Sequence, residues 1–136
     1  MEETHVWSER LDLGNEELDR EHHLQVALVS ALAEAIEQRR PWMARRLVDQ
    51  LAGYSAAHFT GEEVLMEASA YRPLEQHRQE HHALLAHIDE IRSLLSNAEN
   101  ELAQAMALDL LTGLGSHIAA SDRRFAEHTQ VSRRGH

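Results

Sequence analysis

Four stretches of this 136-residue chain carry apolar residues at steps of three and four, and each stripe is broken by histidine or acid where more leucine is expected. The first reads Leu18, His22, Val26, Val29, Leu32, Ile36; the second Leu47, Leu51, Tyr54, His58, Glu62, Leu65. The third reads Leu74, His77, His81, Leu84, Ile88, Ile91, Leu95; the fourth Leu102, Met106, Leu110, Leu114, His117, then Asp122 and Phe125. Steps of three and four trace one buried face of a helix. Burying several ionisable groups on such faces is costly unless they are paired or coordinate a metal.

Punctuation sets the helix ends. Asn15 followed by Glu16 and Glu17 predicts an N-cap, Pro41 and Pro73 suit first turns, and Ser96-Asn97-Ala98-Glu99 has the pattern of a capping box. The expected helices are therefore about 15–39, 41–68, 73–95 and 97–122, between an arm (1–14) and a short C-terminal tail (123–136). No internal repeat or second domain is visible, so residues 1–136 read as a single domain. Short connections make this an all-α, antiparallel up-down-up-down four-helix bundle. The interruptions fall early in helix one, late in two, early in three and late in four, which is one level of an antiparallel bundle. Five imidazoles and two carboxylates are thus expected to converge near one end of the core.

Composition narrows the class. There is no cysteine, which removes disulfides, thiolate metal sites and thiol catalysis. The formal net charge of −10 gives no footprint for nucleic acid or anionic membranes. No stretch approaches the ~20 apolar residues of a membrane span, and residues 1–5 do not open a signal peptide. The cytoplasm is the expected location. Eleven histidines is the compositional anomaly, and histidine is the commonest metal ligand.

His58–Glu62 and His77–His81 are i, i+4 pairs, each projecting two ligands from one face. His117–Asp122 is i, i+5, roughly 140° apart at ~100° per residue; it needs a helix end, a π-bulge or a bridging ligand. Seven ligands exceed one tetrahedral zinc and suit two octahedral ions sharing carboxylates. A nitrogen-rich, thiolate-free set fits iron, with manganese possible. The ferritin-like alternative wants Glu-x-x-His on two helices, and that spacing occurs only at Glu2–His5.

The segments Leu18-Asp19-Arg20-Glu21-His22, His58-Phe59-Thr60-Gly61-Glu62, Val64 through Tyr71, His77-Arg78-Gln79-Glu80-His81 and His117-Ile118-Ala119-Ala120-Ser121-Asp122 resemble those of hemerythrins, as does Trp7 ahead of the first helix. The resemblance covers nearly the whole chain. It implies that His77, His81 and His117 hold one iron and that His22 and His58 hold a second with one position open. Glu62 and Asp122 would bridge the two beside an oxo or hydroxo bridge. It implies reversible dioxygen binding at the open iron rather than enzymatic turnover, with azide or nitric oxide as further small ligands. Phe59, Gly113, Leu114 and Ile118 would line the pocket. Gly113 departs from the tryptophan often found there, which suggests a roomier or tunnel-connected site. Gly113 and Gly115 also cost roughly 1 kcal/mol each inside a helix.

Three other readings compete. The same centre could sense oxygen, redox state or nitric oxide through a partner, or act as a weak peroxidase or oxidase. His77-x-x-Glu80-His81 also spells a zinc-peptidase signature in which the glutamate is the general base, but it leaves His22, His58, His117 and Asp122 without a role. Off the stripes, His5, His23, His82, His87, His128 and His136 are expected to face solvent, Glu21 and Glu80 read as surface charges, and Trp42 reads as packing at the start of helix two.

Overall fold

The computed structural model describes residues 11–134, with side chains through residue 130. The helices are α1 (Glu16–Glu37), α2 (Pro41–Ala68), α3 (Leu74–Ser96), α4 (Asn100–Ser116) and α5 (Arg123–Arg134), with a π-helical turn at His117–Asp122 joining the last two. The residues at both joints keep right-handed helical angles, so α4, the π turn and α5 form one continuous rod. α1 packs on α2 and α4, and α3 packs on α2 and α4. This is the expected all-α four-helix bundle. Among the described residues no helix is long and apolar enough to cross a membrane.

The start signals of α1 and α2 act as read. The Asn15 side chain accepts the Leu18 N–H at 3.0 Å, and Pro41 occupies the first turn of α2. The capping box does not form: Ser96 is the last residue of α3, and Glu99 precedes α4 without a side-chain cap. The chain also stays helical where a tail is expected, through Arg134. The arm reading over residues 1–10, including Trp7 and the Glu2–His5 pair, lies outside the described residues, as does His136.

The helix ends share one device. Arg39, Ala70 and Ala98 have φ of 58°, 54° and 60°, and the following amide reaches back to the last turn (Arg40 to Ala35, 3.0 Å; Tyr71 to Met66, 2.9 Å; Glu99 to Leu94, 2.9 Å). These are Schellman closures, made here by side-chain-bearing residues in a region glycine prefers.

Two apolar clusters enclose a polar layer. The larger fills the half of the bundle remote from the histidines and includes Val29, Leu32, Leu51, Ile91, Ala103, Ala107 and Leu110, each no more than 2% exposed. The smaller, Met66, Tyr71 and Phe125 with Leu74 against it, closes the opposite end. Two stripe assignments shift by one residue. Leu65 and Leu102 are 60% and 51% exposed, whereas their neighbours Met66 and Ala103 are fully buried. Alanine at 103 and 107 lets α4 approach closely where leucine would hold it away. Trp42 is also outside, 64% exposed, with the Arg46 guanidinium 5.4 Å from its ring.

Candidate metal centre

Each helix delivers its side chains to one layer. His22 comes from the second turn of α1, and His58 and Glu62 lie one turn apart late in α2. His77 and His81 lie one turn apart early in α3, and His117 and Asp122 open and close the π turn. The π turn answers the i, i+5 problem: its wider i→i+5 winding brings both residues to the same side, with His117 Nε2 3.2 Å from Asp122 Oδ1. None of the seven is more than 6% exposed.

The two carboxylates divide their oxygens between two sets of imidazoles. Glu62 Oε1 lies 3.1 Å from His81 Nε2 and 3.5 Å from His77 Nε2, while its Oε2 lies 3.4 Å from His22 Nε2 and 3.5 Å from His58 Nε2. Asp122 Oδ1 lies 2.9 Å from His77 Nε2 and 3.2 Å from His117 Nε2, while its Oδ2 lies 3.0 Å from His22 Nε2. Two overlapping groups result, able to hold a metal ion each: Glu62, His77, His81, His117 and Asp122; and His22, His58 and Glu62. Within each group one donor atom per residue lies within 4.8 Å of all the others.

The protein alone leaves this layer unsatisfied. His58 Nε2, His81 Nε2, His117 Nε2, Glu62 Oε1 and Asp122 Oδ2 are buried without a hydrogen-bond partner, and orphaned atoms of this kind cost free energy. Burial opposes protonation of His22 and His77, but the carboxylates of Asp122 and Glu62 outweigh it and push both imidazoles up to about 9. His58 and His117 are raised by the same contest, with Glu62 and Asp122 respectively as the chief partners. Burial would raise Glu62 and Asp122, yet the facing imidazoles hold both carboxyls well below their ordinary range. The layer therefore calls for positive charge, and its donor atoms are grouped so that metal ions could supply it. Nitrogen and oxygen donors in this ratio fit first-row transition metals such as iron.

An outer ring of carboxylates fixes the imidazoles. The Nδ1–H groups of His58, His81 and His117 donate to Glu21 (2.6 Å), Glu63 (2.7 Å) and Glu80 (2.7 Å). That contact sets the tautomer and turns the Nε2 lone pair inward, the usual support of a metal-bound histidine. Glu21 and Glu80 are therefore not plain surface charges, and Glu63 was invisible in the stripes. Glu80 also accepts the Ser121 hydroxyl at 2.6 Å, and the imidazole and hydroxyl together hold its carboxyl below the ordinary range against burial. Its carboxylate faces His117, so it is not available as a general base beside a metal on His77 and His81.

Phe59, Leu114 and Ile118 are buried, with Phe59 stacked on His81 at a 4.0 Å centroid separation. Gly113 is exposed. It lines a groove of about 430 Å³ with Leu84, Ser116 and His117, so it bears on the outer flank of His117. A β-carbon there would meet only Leu84, at 4.0 Å, and one at Gly115 would meet nothing within 4 Å; nothing in the packing explains either glycine. His23 and His82 face solvent as expected, but His87 and His128 are half-buried. His128 Nε2 lies 3.3 Å from the Ser69 carbonyl oxygen.

Residues 13–128 match the family model described as the hemerythrin HHE cation binding domain. The chain is similar to a bacteriohemerythrin of Ralstonia nicotianae, at 30% identity over 95% of this chain and 90% of that protein. It is also similar to bacteriohemerythrins of Stenotrophomonas maltophilia (24% identity, 93% and 82% covered) and Aquifex aeolicus (25% identity, 85% and 89% covered).

Proposed function

This chain belongs to the hemerythrin family of cation-binding domains, and from that premise we propose that it binds dioxygen reversibly at a pair of iron ions. The observation that carries the reading is the split of Glu62 and Asp122, each with one oxygen toward either imidazole set. A single ion needs no such division.

In this reading His77, His81 and His117 hold one ion and His22 and His58 the other, with Glu62 and Asp122 shared. The second ion has one protein ligand fewer, and that is where a small molecule enters. Paired iron supplies the two electrons that bound dioxygen draws on. The chain's own contribution is threefold. Glu21, Glu63 and Glu80 hold three imidazoles in the ligating tautomer. The apolar clusters on both sides of the layer surround it with apolar side chains, and a cavity of about 560 Å³ lined by Leu18, Glu21, Leu65 and Phe125 reaches Glu62. Phe59, Leu114 and Ile118 present no acid that would protonate a bound ligand and drive it off, which favours release of dioxygen over turnover. Azide and nitric oxide are small enough to take the same position. The commitment of Glu80 to His117 and Ser121 speaks against the zinc-peptidase alternative.

An anaerobic-to-aerobic optical titration with metal quantification tests this. The expected result is two irons per chain and visible charge-transfer bands that appear in air and fade when oxygen is removed. One zinc per chain, or bands that never reverse, would contradict it.

A further inference from the structure

Between the ligand layer and the main apolar core sits a polar pair that the seven ligands do not account for. Gln25, 1% exposed, donates from Nε2 to Ser55 Oγ at 2.9 Å. Ser55 is itself fully buried, and Gln25 Oε1 is buried with no partner at all. Burying a carboxamide with an orphaned acceptor is a cost that leucine at the same place would avoid.

Position gives that cost a use. Gln25 lies three residues after His22 and Ser55 three before His58, so each is one turn from a ligand on the same helical face. Because α1 and α2 run antiparallel, both fall on the core side of the layer, at the same level. The two ligands they adjoin along the chain, His22 and His58, are the imidazoles of the smaller group. Helical side chains lean toward their own N-terminus, so the Gln25 carboxamide leans back along α1 toward His22.

We propose that the Gln25 carboxamide, held in place by Ser55, is the polar contact for a small ligand at the His22–His58–Glu62 position, selecting ligands whose outer atom carries a proton over aprotic anions. The inference rests on the metal-centre reading above. The free Oε1 accepts an O–H or N–H from water, hydroxide or another protonated ligand. An anion that presents only lone pairs, such as azide, displaces that donor and leaves Oε1 unpaired. Discrimination thus comes from the contact the wrong ligand fails to make.

The test uses iron-loaded, oxidised protein titrated with azide, beside thermal melts of the metal-free protein. Gln25→Leu is expected to tighten azide binding about tenfold, the scale of one relieved buried acceptor. Ser55→Ala, which frees the carboxamide to turn its N–H toward azide, is expected to tighten it by a smaller factor. Metal-free Gln25→Leu is expected to melt higher than wild type. If Gln25 only braces α1 against α2, the variant melts lower and binds azide as wild type does, which overturns the inference and leaves the metal centre standing. Weaker azide binding in Gln25→Leu would show a donating carboxamide and overturn the stated preference. Wild-type protein that binds neither iron nor azide would overturn the function and this inference together.

Discussion

The two halves of this bundle are made by the same helices under opposite rules. In the remote half, Val29, Leu32, Leu51, Ile91 and Leu110 are buried among one another with small Ala103 and Ala107 between them, and burial stabilises each large side chain by about 1.5–3 kcal/mol. In the ligand half the buried groups are five imidazoles and two carboxylates, several of whose atoms have no partner within the protein. The first half is held by apolar packing, with unpartnered atoms only at Ser30, His87 and Gln104 among the described residues; the second concentrates them on groups that could hold a metal ion. Stability and function are therefore separable along the bundle axis, and each half should answer a different perturbation.

The largest effect should come from the shared carboxylate. Glu62→Ala removes the one residue common to both candidate ligand groups, so iron uptake should fall to one ion per chain or none. In the wild type, metal at a thousandfold excess over its dissociation constant adds about 4 kcal/mol, roughly 10–15 °C in melting midpoint for a domain of this size. That gap between loaded and metal-free protein should collapse in the variant. Full loading of Glu62→Ala would break the comparison.

Next in size is a cavity in the other half. Leu51 is fully buried in the main cluster, and Leu51→Ala should cost about 2–5 kcal/mol in the metal-loaded and metal-free forms alike. Chemical denaturation reads the loss, and iron per chain should not change. A variant that folds but loses its metal would show that the halves are not independent.

The outer carboxylates should give an intermediate effect confined to the ligand half. Glu80→Gln weakens the contact that orients His117 and should lower metal affinity about tenfold or more, with little change in the metal-free melt. Competition with a chelator measures it.

Proton linkage sharpens the contrast further. His22 and His77 are raised from 6.5 to about 9 in the metal-free fold by Asp122 and Glu62, against the opposing effect of burial. A folded-state pKa above the unfolded value gives stability that is full below about pH 6.5 and is lost as pH rises through about 9. The metal-free protein should thus weaken across that window. Metal binding must displace the same protons, so metal affinity should rise over the same window. Melts and metal titrations at several pH values between about 6 and 10 would reveal the two opposite slopes.

The smallest effect concerns helix ends, outside both halves. Ala98→Gly relieves a left-handed backbone position and should stabilise the fold by about 0.5–1 kcal/mol without touching metal content.

How far the sequence could be read follows the same division. The periodic interruptions at His22, His58, Glu62, His77, His81, His117 and Asp122 mark the layer because an ionisable group on an apolar stripe is buried at a cost that only a partner or a metal offsets. The i, i+5 spacing of His117 and Asp122 even specified a local irregularity, which takes the form of the π turn. Glu21, Glu63 and Glu80 were hidden because a carboxylate beside a stripe looks like any solvated charge; only the three-dimensional aim of its neighbour reveals it. Gln25 was hidden next to Val26, since a stripe reader takes the apolar residue and passes the amide. Leu65 and Leu102 misled because steps of three and four admit two adjacent faces, and the bundle buries Met66 and Ala103 instead. The end of α1 was read two residues late because Arg39 closes it where glycine would have been the signal, whereas α2 ends at Ala68 as read and α3 within one residue, although Ala70 and Ala98 close them in the same way. Past Asp122 the stripe carries only Phe125, yet the rod continues because Phe125 and Ala126 still bury a face.

The central claim is that Glu62 and Asp122 each reach toward two ions at once. Anomalous diffraction from crystals grown with ferrous iron tests it directly. The account predicts two iron peaks per chain roughly 3.5 Å apart, one beside His77, His81 and His117 and one beside His22 and His58, with both carboxylates between them. A single peak, or two peaks with either carboxylate turned away, would contradict it.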